Sequence, residues 1–278
     1  MDMMHGAESS SLGRTVTYYD HYMPSLLFPV KRQLKRTEIG LETVLPFVGE
    51  DVWNAYELSW LNPRGKPVVA LGRFCVPADT PFLIESKSLK LYLNSFNQTV
   101  FTDKVQVAAR ITQDLSAAAG GLVAVDVVSL DEQPVRQSVY PEGVCIDTLD
   151  IDIDTYQPAP QALCTGSGEV VTETLYSHLL KSNCLVTGQP DWGMLVVRYR
   201  GLAIDRMGLL RYIVSFRGHN EFHEQCVERI FCDLSMRCRP VELAVWARYT
   251  RRGGLDINPW RATPGMRFVP GNDMEVRQ

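Results

Sequence analysis

The sequence contains 278 residues with a formal net charge of −4 at pH 7, and its 45% of hydrophobic residues is typical of a globular protein. The negative charge argues against a nucleic-acid-binding surface, and no apolar run approaches the roughly 18 residues that a membrane-spanning helix needs. The seven cysteines include no CxxC pair, so we expect free thiols in the reducing cytoplasm.

The apolar pattern predicts strands and helices after an N-terminal arm, residues 1–20, which lacks periodicity and is expected to be loosely ordered. Strands are predicted at 52–60, 68–76, 122–128, 194–199 and 241–249. Helices are predicted at 89–96, 105–115, 172–181, 209–216 and 222–234. The turn residues Asn62-Pro-Arg-Gly65 join the first two strands into a hairpin.

Two modules are predicted, residues 21–158 and 171–278, joined by a linker at 159–170 that carries proline, glycine and small polar residues. A basic run in the first module is interpreted as a solvent-exposed face: Lys31, Arg32, Lys35 and Arg36.

An acidic stretch, residues 147–154, alternates aspartate with apolar residues and is interpreted as a strand with one acidic face. Its spacing superficially suggests a calcium loop that begins at Asp150. Such a loop needs glycine at its sixth position and glutamate at its twelfth, where this chain has Thr155 and Gln161. The calcium hypothesis is therefore rejected.

The two modules contain an internal repeat. The first module contains Leu89, Tyr92, Ser95 and Phe96. The same residue types recur 120 positions later in the second module, at Leu209, Tyr212, Ser215 and Phe216. Four matches at one offset indicate a duplicated unit of a hairpin, two helices and further strand. The predicted fold class is therefore α+β, with antiparallel sheets backed by helices on one face.

The most reactive combination of side chains lies in the second module. Cys184 is followed, through a Gly-Gln-Pro turn, by Asp191, and Gly188 with Pro190 folds the segment back so that both side chains can face one pocket. A thiolate can attack an electrophile and a carboxyl group can move protons. The alternative is a small buried hydrophobe beside a turn aspartate, since unpaired cysteines are usually core residues.

Two basic stretches could contact phosphate. Lys87 and Lys90 share one face of a predicted helix start, where free N–H groups are expected, although a capped helix with solvated lysines gives the same pattern. The stretch Arg251-Arg-Gly-Gly254 follows the last strand, where two fixed cations stand beside backbone that a ligand can approach closely, although a charged turn gives the same pattern. No GxGxxG motif follows a strand, so a nicotinamide cofactor needs a different type of site.

A zinc site is the alternative chemistry. His219 and His223 are four residues apart and would share one helical face, with Cys226 or Cys184 as a further ligand. The order differs from HExxH, and no third ligand has a convincing spacing.

Four stretches together resemble the 7-cyano-7-deazaguanine reductases, the NADPH-dependent nitrile reductases of queuosine biosynthesis. They are Leu83–Gln98, Leu180–Trp192, Asn220–Ile230 and Tyr249–Trp260. The resemblance runs from about Leu26 to the C-terminus. It implies tandem tunnelling-fold modules, a cytoplasmic homodimer without nucleic acid or membrane partners, and no metal.

The resemblance also implies roles for individual residues. Cys184 would be the nucleophile that forms a thioimidate with the nitrile, and Asp191 would be the proton donor. The residues that would bind the deazapurine substrate are Ile84, Glu85, Ser86, His223 and Glu224. The residues that would contact NADPH are Ser86, Lys87, Lys90, Arg252 and Gly253.

The implied reaction reduces the nitrile of 7-cyano-7-deazaguanine to the aminomethyl group of 7-aminomethyl-7-deazaguanine, a step in a tRNA-modification pathway. Two alternatives remain open at this point. A zinc-dependent cyclohydrolase would use the histidines and leave Asp191 without a role. A non-catalytic purine-binding module would leave both the thiol and the acid without one.

Overall fold

The computed structural model describes residues 18–132, 138 and 140–278, and divides them into two compact units. The first unit comprises 18–35, 50–132 and 251–257; the second comprises 36–49, 138, 140–250 and 258–278. The predicted arm lies mostly outside the described residues. Within the described residues, no helix has the length and apolarity needed to cross a membrane.

The first unit is a sheet covered by two helices. Its main strands are β2 (Val48–Leu61), β3 (Pro67–Pro77) and β5 (Ala124–Ser129), arranged antiparallel in the order β5-β3-β2. A short pair, β1 (Pro29–Lys31) and β4 (Phe82–Ile84), precedes the helices α2 (Ser86–Asn94) and α3 (Lys104–Ala119). Helix α1 (Arg32–Glu38) begins in this unit and ends in the second, because the division falls after residue 35. The first two residues of β2, Val48 and Gly49, also belong to the second unit.

Both helices of the first unit pack on the same face of its sheet. Alternate residues of β3, including Phe74 and Val76, belong to one buried cluster with Leu89 of α2 and Ile111 of α3. Side chains two residues apart on a strand point to the same face, so one face of the sheet carries the core. The prediction of helices on one face is confirmed for this unit.

The second unit contains the longest strands. β7 (Thr165–Asn183) and β8 (Pro190–Ile204) form a hairpin, and β9 (Glu242–Tyr249) and β10 (Leu255–Ala262) extend the sheet antiparallel beyond β8. On the other edge, the two-residue strand β6 (Val144–Cys145) pairs parallel with β7. Helices α4 (Arg206–Ser215) and α5 (His223–Cys238) lie between β8 and β9 in the chain.

Most predicted elements are confirmed, but two are wrong. Residues 172–181 are part of strand β7 rather than a helix, because eight register pairs of this segment with β8 outweigh a weak helical pattern. The acidic stretch at 147–154 contains no strand. The predicted linker holds a 3-10 helix, Pro160–Ala162, and the first residues of β7. The module boundaries stay predictions.

The internal repeat is visible in hydrogen bonds of the first unit. Tyr92 donates its hydroxyl hydrogen to Asp114 Oδ2 at 2.7 Å. Ser95 Oγ donates to the carbonyl oxygen of Tyr92 at 2.6 Å. The rings of Tyr92 and Phe96 meet edge to face with their centroids 5.2 Å apart. These contacts fix the end of α2 against α3.

The second unit repeats each of these contacts. Tyr212 donates to Asp233 Oδ2 at 2.5 Å, and Ser215 Oγ donates to the carbonyl oxygen of Tyr212 at 2.6 Å. The rings of Tyr212 and Phe216 are also 5.2 Å apart, edge to face. The matching residues of the sequence therefore hold the same contacts, as a duplicated unit requires.

The two arginines of the basic run are not solvated, although Lys31 is exposed. Arg32 is buried and donates to Asp51 Oδ2 at 2.5 Å in the first unit. In the second unit Arg36 donates to Glu228 through Nε and Nη2, at 2.9 and 2.7 Å, and Arg261 donates to the same carboxylate at 2.8 Å. Glu228 thus joins two buried arginines, because an uncompensated charge in the core is costly.

We predict that Glu228→Gln destabilises the protein far more than Glu242→Gln. The first change leaves two buried guanidinium groups without their counter-charge, which costs roughly 3–5 kcal/mol. Glu242 instead pairs at 3.1 Å with Arg200 where both side chains are 42% exposed, so its loss costs about 1 kcal/mol or less. Urea unfolding of the two variants measures the difference, and equal midpoints would contradict the role of Glu228.

Candidate active site

The end of the β7–β8 hairpin positions Cys184 and Asp191. The last register pairs are Ser182 with Asp191 and Asn183 with Pro190. Cys184 then closes the turn, since its N–H donates to Gln189 O at 2.8 Å and its carbonyl accepts from Gly188 N at 3.0 Å. Gly188 has a φ of +67°, which favours glycine. The predicted reversal of the chain between the two residues is confirmed.

Burial alternates along this end of the hairpin. Ser182, Cys184 and Asp191 are buried, whereas Trp192 is 37% exposed. Cys184 is the residue directly after β7, so continued alternation of side chains beyond the paired Ser182 puts the thiol on the same buried face as Asp191, diagonal to it. Such positions are on the order of 7–8 Å apart, close enough for both groups to reach one small ligand.

His223 completes this group from the first turn of α5. Its Nε2 lies 3.5 Å from Asp191 Oδ1, and its ring lies 4.0 Å from that of Tyr249 between centroids. Burial lowers the pKa of Lys181, and the positive charge of Arg217 lowers it further. The negative charge of Asp191 opposes both effects. The carboxylate is thus surrounded by groups that respond to its charge.

Asn183 fixes where α5 begins. Its N–H donates to His219 O at 2.8 Å, and its carbonyl accepts from Glu221 N at 3.1 Å. The side-chain amide of Asn183 also donates to Asn220 Oδ1 at 3.0 Å. The residue before Cys184 therefore holds the segment that leads directly into His223 and Glu224.

The zinc hypothesis at His219 and His223 is wrong in its geometry. His219 precedes α5 and does not share a helical face with His223, which is the first residue of that helix. His219 Nε2 instead lies 3.0 Å from Glu221 Oε2. Burial alone would raise the pKa of Glu221, but hydrogen bonds from His219 and Arg229 lower it. Within the described residues, Cys184 and these histidines form no metal-ligating group.

Glu224 and Gln225 follow His223 in the buried first turn of α5. A carboxylate here is favoured by the positive end of the helix dipole. Neither Oε1 nor Nε2 of Gln225 has a hydrogen-bond partner, although both atoms are buried. Gln225 was not identified from the sequence, which contains no signal that separates it from an ordinary helical glutamine.

Cys226 was considered only as a zinc ligand, and Tyr249 was given no role. Burial raises the pKa of Cys226 to about 12, and the charge of Glu221 raises it too, so this second thiol is a poor nucleophile near neutral pH. Tyr249 is fully buried, and its hydroxyl makes no hydrogen bond of ordinary geometry. The sequence motif included Tyr249 but gave no reason to assign it a role.

In the first unit, Glu85 is the N-cap of α2. Its carboxylate accepts from Lys87 N at 2.8 Å and Ser88 N at 2.7 Å, so the expectation of free N–H groups is wrong for these two donors. Burial raises the pKa of Glu85, while these two hydrogen bonds oppose the shift. The ionised carboxylate is therefore incompletely stabilised, and a ligand offering further donors would bind it favourably. Ile84 precedes it in β4, and Ser86 begins α2.

Glu57 brings the two predicted phosphate contacts together within the first unit. Lys90 of α2 forms an ion pair with Glu57. A Cβ on Gly254 would lie 2.4 Å from Glu57 Cδ, so the loop containing Arg252 and Gly253 approaches the same side chain. Gly253 has a φ of +57°, which brings bare backbone to the surface of this loop. Lys90 and the loop that contains Arg252 and Gly253 therefore both approach the side chain of Glu57.

Comparison with known proteins identifies the family. A model described as "Nitrile reductase, 7-cyano-7-deazaguanine-reductase N-term" matches residues 18–127, and one described as "QueF-like protein" matches residues 190–266. The chain is 71% identical to an Azoarcus protein, over 99% of this chain and 98% of that one. Proteins of Aromatoleum aromaticum and Dechloromonas aromatica are 64% and 62% identical, over 99% and 98% of this chain and 97% and 96% of theirs.

All three relatives are described as NADPH-dependent 7-cyano-7-deazaguanine reductases. A solved archaeosine synthase, described as QueF-Like in the apo form, covers 36% of this chain and 99% of its own at 16% identity and a TM-score of 0.31, a likeness too small to carry an argument. The high identity to the curated relatives, over nearly the full length of both chains, does support an assignment of the family. The chain belongs to the 7-cyano-7-deazaguanine reductase family.

Proposed function

We propose that this chain reduces the nitrile of 7-cyano-7-deazaguanine to the aminomethyl group of 7-aminomethyl-7-deazaguanine with NADPH, a step of queuosine biosynthesis. The observation that carries the proposal is the shared buried face of Cys184 and Asp191, with His223 3.5 Å from the carboxylate. A nucleophile beside a proton-moving group is what addition to a nitrile needs.

The first step is addition of the Cys184 thiolate to the nitrile carbon. A sulfur–carbon bond forms and one π bond of the nitrile opens, so negative charge develops on nitrogen. The Asp191 carboxylate, having accepted the thiol proton, delivers it to that nitrogen and gives a neutral thioimidate. The thiol loses one proton and the nitrogen gains one, so the addition exchanges no net proton with solvent.

Reduction then returns the free thiol. Bound NADPH would supply the hydrides, two for each nitrile, and each hydride is matched by one proton taken up from solvent. After the first reduction, expulsion of the Cys184 thiolate leaves an imine, which the second reduction converts to the amine. Water must be kept from the imine, and the burial of Cys184 and Asp191 supports such exclusion.

Recognition of the deazapurine is assigned to carboxylates and their neighbours. Glu224 is buried in the first turn of α5 and can accept two hydrogen bonds from a planar ring that carries N–H groups. Glu85, flanked by Ile84 and Ser86, is a second such acceptor in the first unit. His223 is proposed to contact both the ligand and Asp191.

The residues of the first unit fit an NADPH phosphate. Ser86 and Lys87 begin α2, and Arg252 and Gly253 lie on a loop that approaches Glu57, the partner of Lys90. Fixed cations beside exposed backbone suit a phosphate. Because Glu85 occupies two backbone donors of α2, the phosphate is proposed to meet side chains rather than the helix end.

We also propose that the protein is a cytoplasmic homodimer that binds neither nucleic acid nor membrane. The proposal rests on family membership and on the net charge of −4. Sedimentation of the full chain tests the dimer, and a single monomeric species would contradict it.

Incubation with 7-cyano-7-deazaguanine in the absence of NADPH is expected to add the mass of one substrate molecule to the chain. Cys184→Ala should abolish both this adduct and NADPH oxidation, because only a thiol at that position can attack the nitrile. Intact-protein mass spectrometry measures the adduct. Cys164→Ser is the matched control: this exposed thiol lies in the same unit, and its loss should leave both readouts unchanged. An adduct on Cys184→Ala would overturn the nucleophile assignment.

Two isosteric changes are expected to separate turnover from binding. Asp191→Asn should slow turnover by about 10²-fold or more with substrate affinity retained, because the proton donor is lost. Glu224→Gln should weaken substrate binding by roughly 2–5 kcal/mol, because a buried acceptor pair is lost. Steady-state kinetics and substrate titration on each variant make the comparison. If Asp191→Asn impaired only binding, its proton-donor role would be wrong.

A further inference from the structure

A second group of reactive side chains lies on the edge of the second unit, away from the residues of the proposed reaction. Strand β6 pairs parallel with β7, with Cys145 opposite Tyr176, and Ile146 N donates to Tyr176 O at 3.0 Å. Ile146 is buried on one face. Cys145 therefore lies on the other face, which alternation along β7 gives to Tyr176 and His178 as well, and Asp147 follows in the turn after β6.

The side chains of Cys145, Asp147 and His178 lie close enough to one another to share one ion. One potential ligand atom from each residue lies within 4.8 Å of the other two, and all three residues are half-buried. Ligand atoms of a tetrahedral zinc site lie roughly 3.5 Å apart, given bonds of about 2.0–2.3 Å, so a movement of about 1 Å would complete the group.

The carboxylate of Asp147 is only half used. Its Oδ2 accepts from His178 N at 2.9 Å, which ties the segment after β6 to β7. Its Oδ1 is buried and has no hydrogen-bond partner. A buried carboxylate oxygen without a donor costs free energy, and a bound cation would remove that cost.

Glu275 holds the imidazole in place. The His178 Nδ1 atom lies 2.9 Å from Glu275 Oε1, and that carboxylate is buried. This leaves the other ring nitrogen, Nε2, as the ligand atom. A carboxylate hydrogen-bonded to the second nitrogen of a metal-binding histidine is the usual arrangement in zinc proteins, since it fixes the ring and raises its basicity.

The same residues could instead form a reactive thiol with a histidine base. A histidine base would leave the buried Asp147 Oδ1 without a partner, whereas a metal ion would contact the thiolate, the imidazole and that oxygen together. The donor set of one sulfur, one imidazole nitrogen and one carboxylate oxygen matches Zn²⁺.

We propose that Cys145, Asp147 and His178 bind one Zn²⁺ ion, with Glu275 as the hydrogen-bond partner of His178 and water as the fourth ligand. The ion joins the segment after β6 to strand β7, which leads at its far end to Cys184. The site uses none of the residues of the proposed reaction, and its test does not use catalysis.

Titration of the metal-free wild-type protein with Zn²⁺, in competition with a chromophoric chelator, is expected to show one tight site per chain. Co²⁺ in its place should give a thiolate-to-metal charge-transfer band. Cys145→Ser should abolish the band, and Asp147→Asn and Glu275→Gln should each weaken Zn²⁺ binding by roughly 10–100-fold. The matched controls Cys164→Ser and Asp150→Asn, which change exposed residues of the same unit, should bind as the wild type does.

A readout on the wild type alone guards against misfolded variants. Zn²⁺ should protect Cys145 from alkylation, mapped by peptide mass spectrometry, and leave the exposed Cys164 reactive. The proposal is overturned if Zn²⁺ fails to protect Cys145, if it protects Cys184 instead, or if a folded Cys145→Ser variant binds Zn²⁺ with unchanged affinity.

Discussion

The register of the β7–β8 hairpin is the constraint on which the site depends. Pairing Ser182 with Asp191 puts the thiol of Cys184 and the carboxylate on one buried face. A slip of one residue would turn one of the two groups to the opposite face, because side chains alternate along a strand. The hairpin can hold this register because each strand is long and pairs on both sides, β8 with β9 and β7 with β6.

Around the hairpin end, the protein tolerates buried polar groups that lack partners. Both side-chain amide atoms of Gln225 are buried without a hydrogen-bond partner, whereas the Tyr249 hydroxyl interacts with Cys226 and Ser182. An unsatisfied buried group costs roughly 1–3 kcal/mol, which is unfavourable for folding alone. A bound polar ring, as proposed for the substrate, would supply the partners that Gln225 lacks. The buried network of Glu221 with His219 and Arg229 is fully paired by contrast, and it provides the rigid support for α5.

Duplication explains why the sequence could reveal so much of the scaffold. Tyr92 and Tyr212 make the same contacts in their own units, and Glu85 and Asp205 each cap the helix that follows a strand. Local rules determine these features, namely helix caps, hairpin turns and apolar spacing, so the sequence predicts them without a partner. The capping position also carries a functional difference, because the longer glutamate side chain accepts from two N–H groups and the aspartate from one.

The sequence by itself determined the first hairpin, four of the five predicted helices, the repeat and the family motifs that include Cys184 and Asp191, because these depend on neighbours close in the chain. Tertiary structure decided the rest. Residues 172–181 became a strand because β8 pairs with them, and Arg36 was buried because Glu228, 192 positions away, neutralises it. The Cys145 group follows the same rule, since β6 meets β7 only in the folded chain, where long-range pairing outweighs local preference.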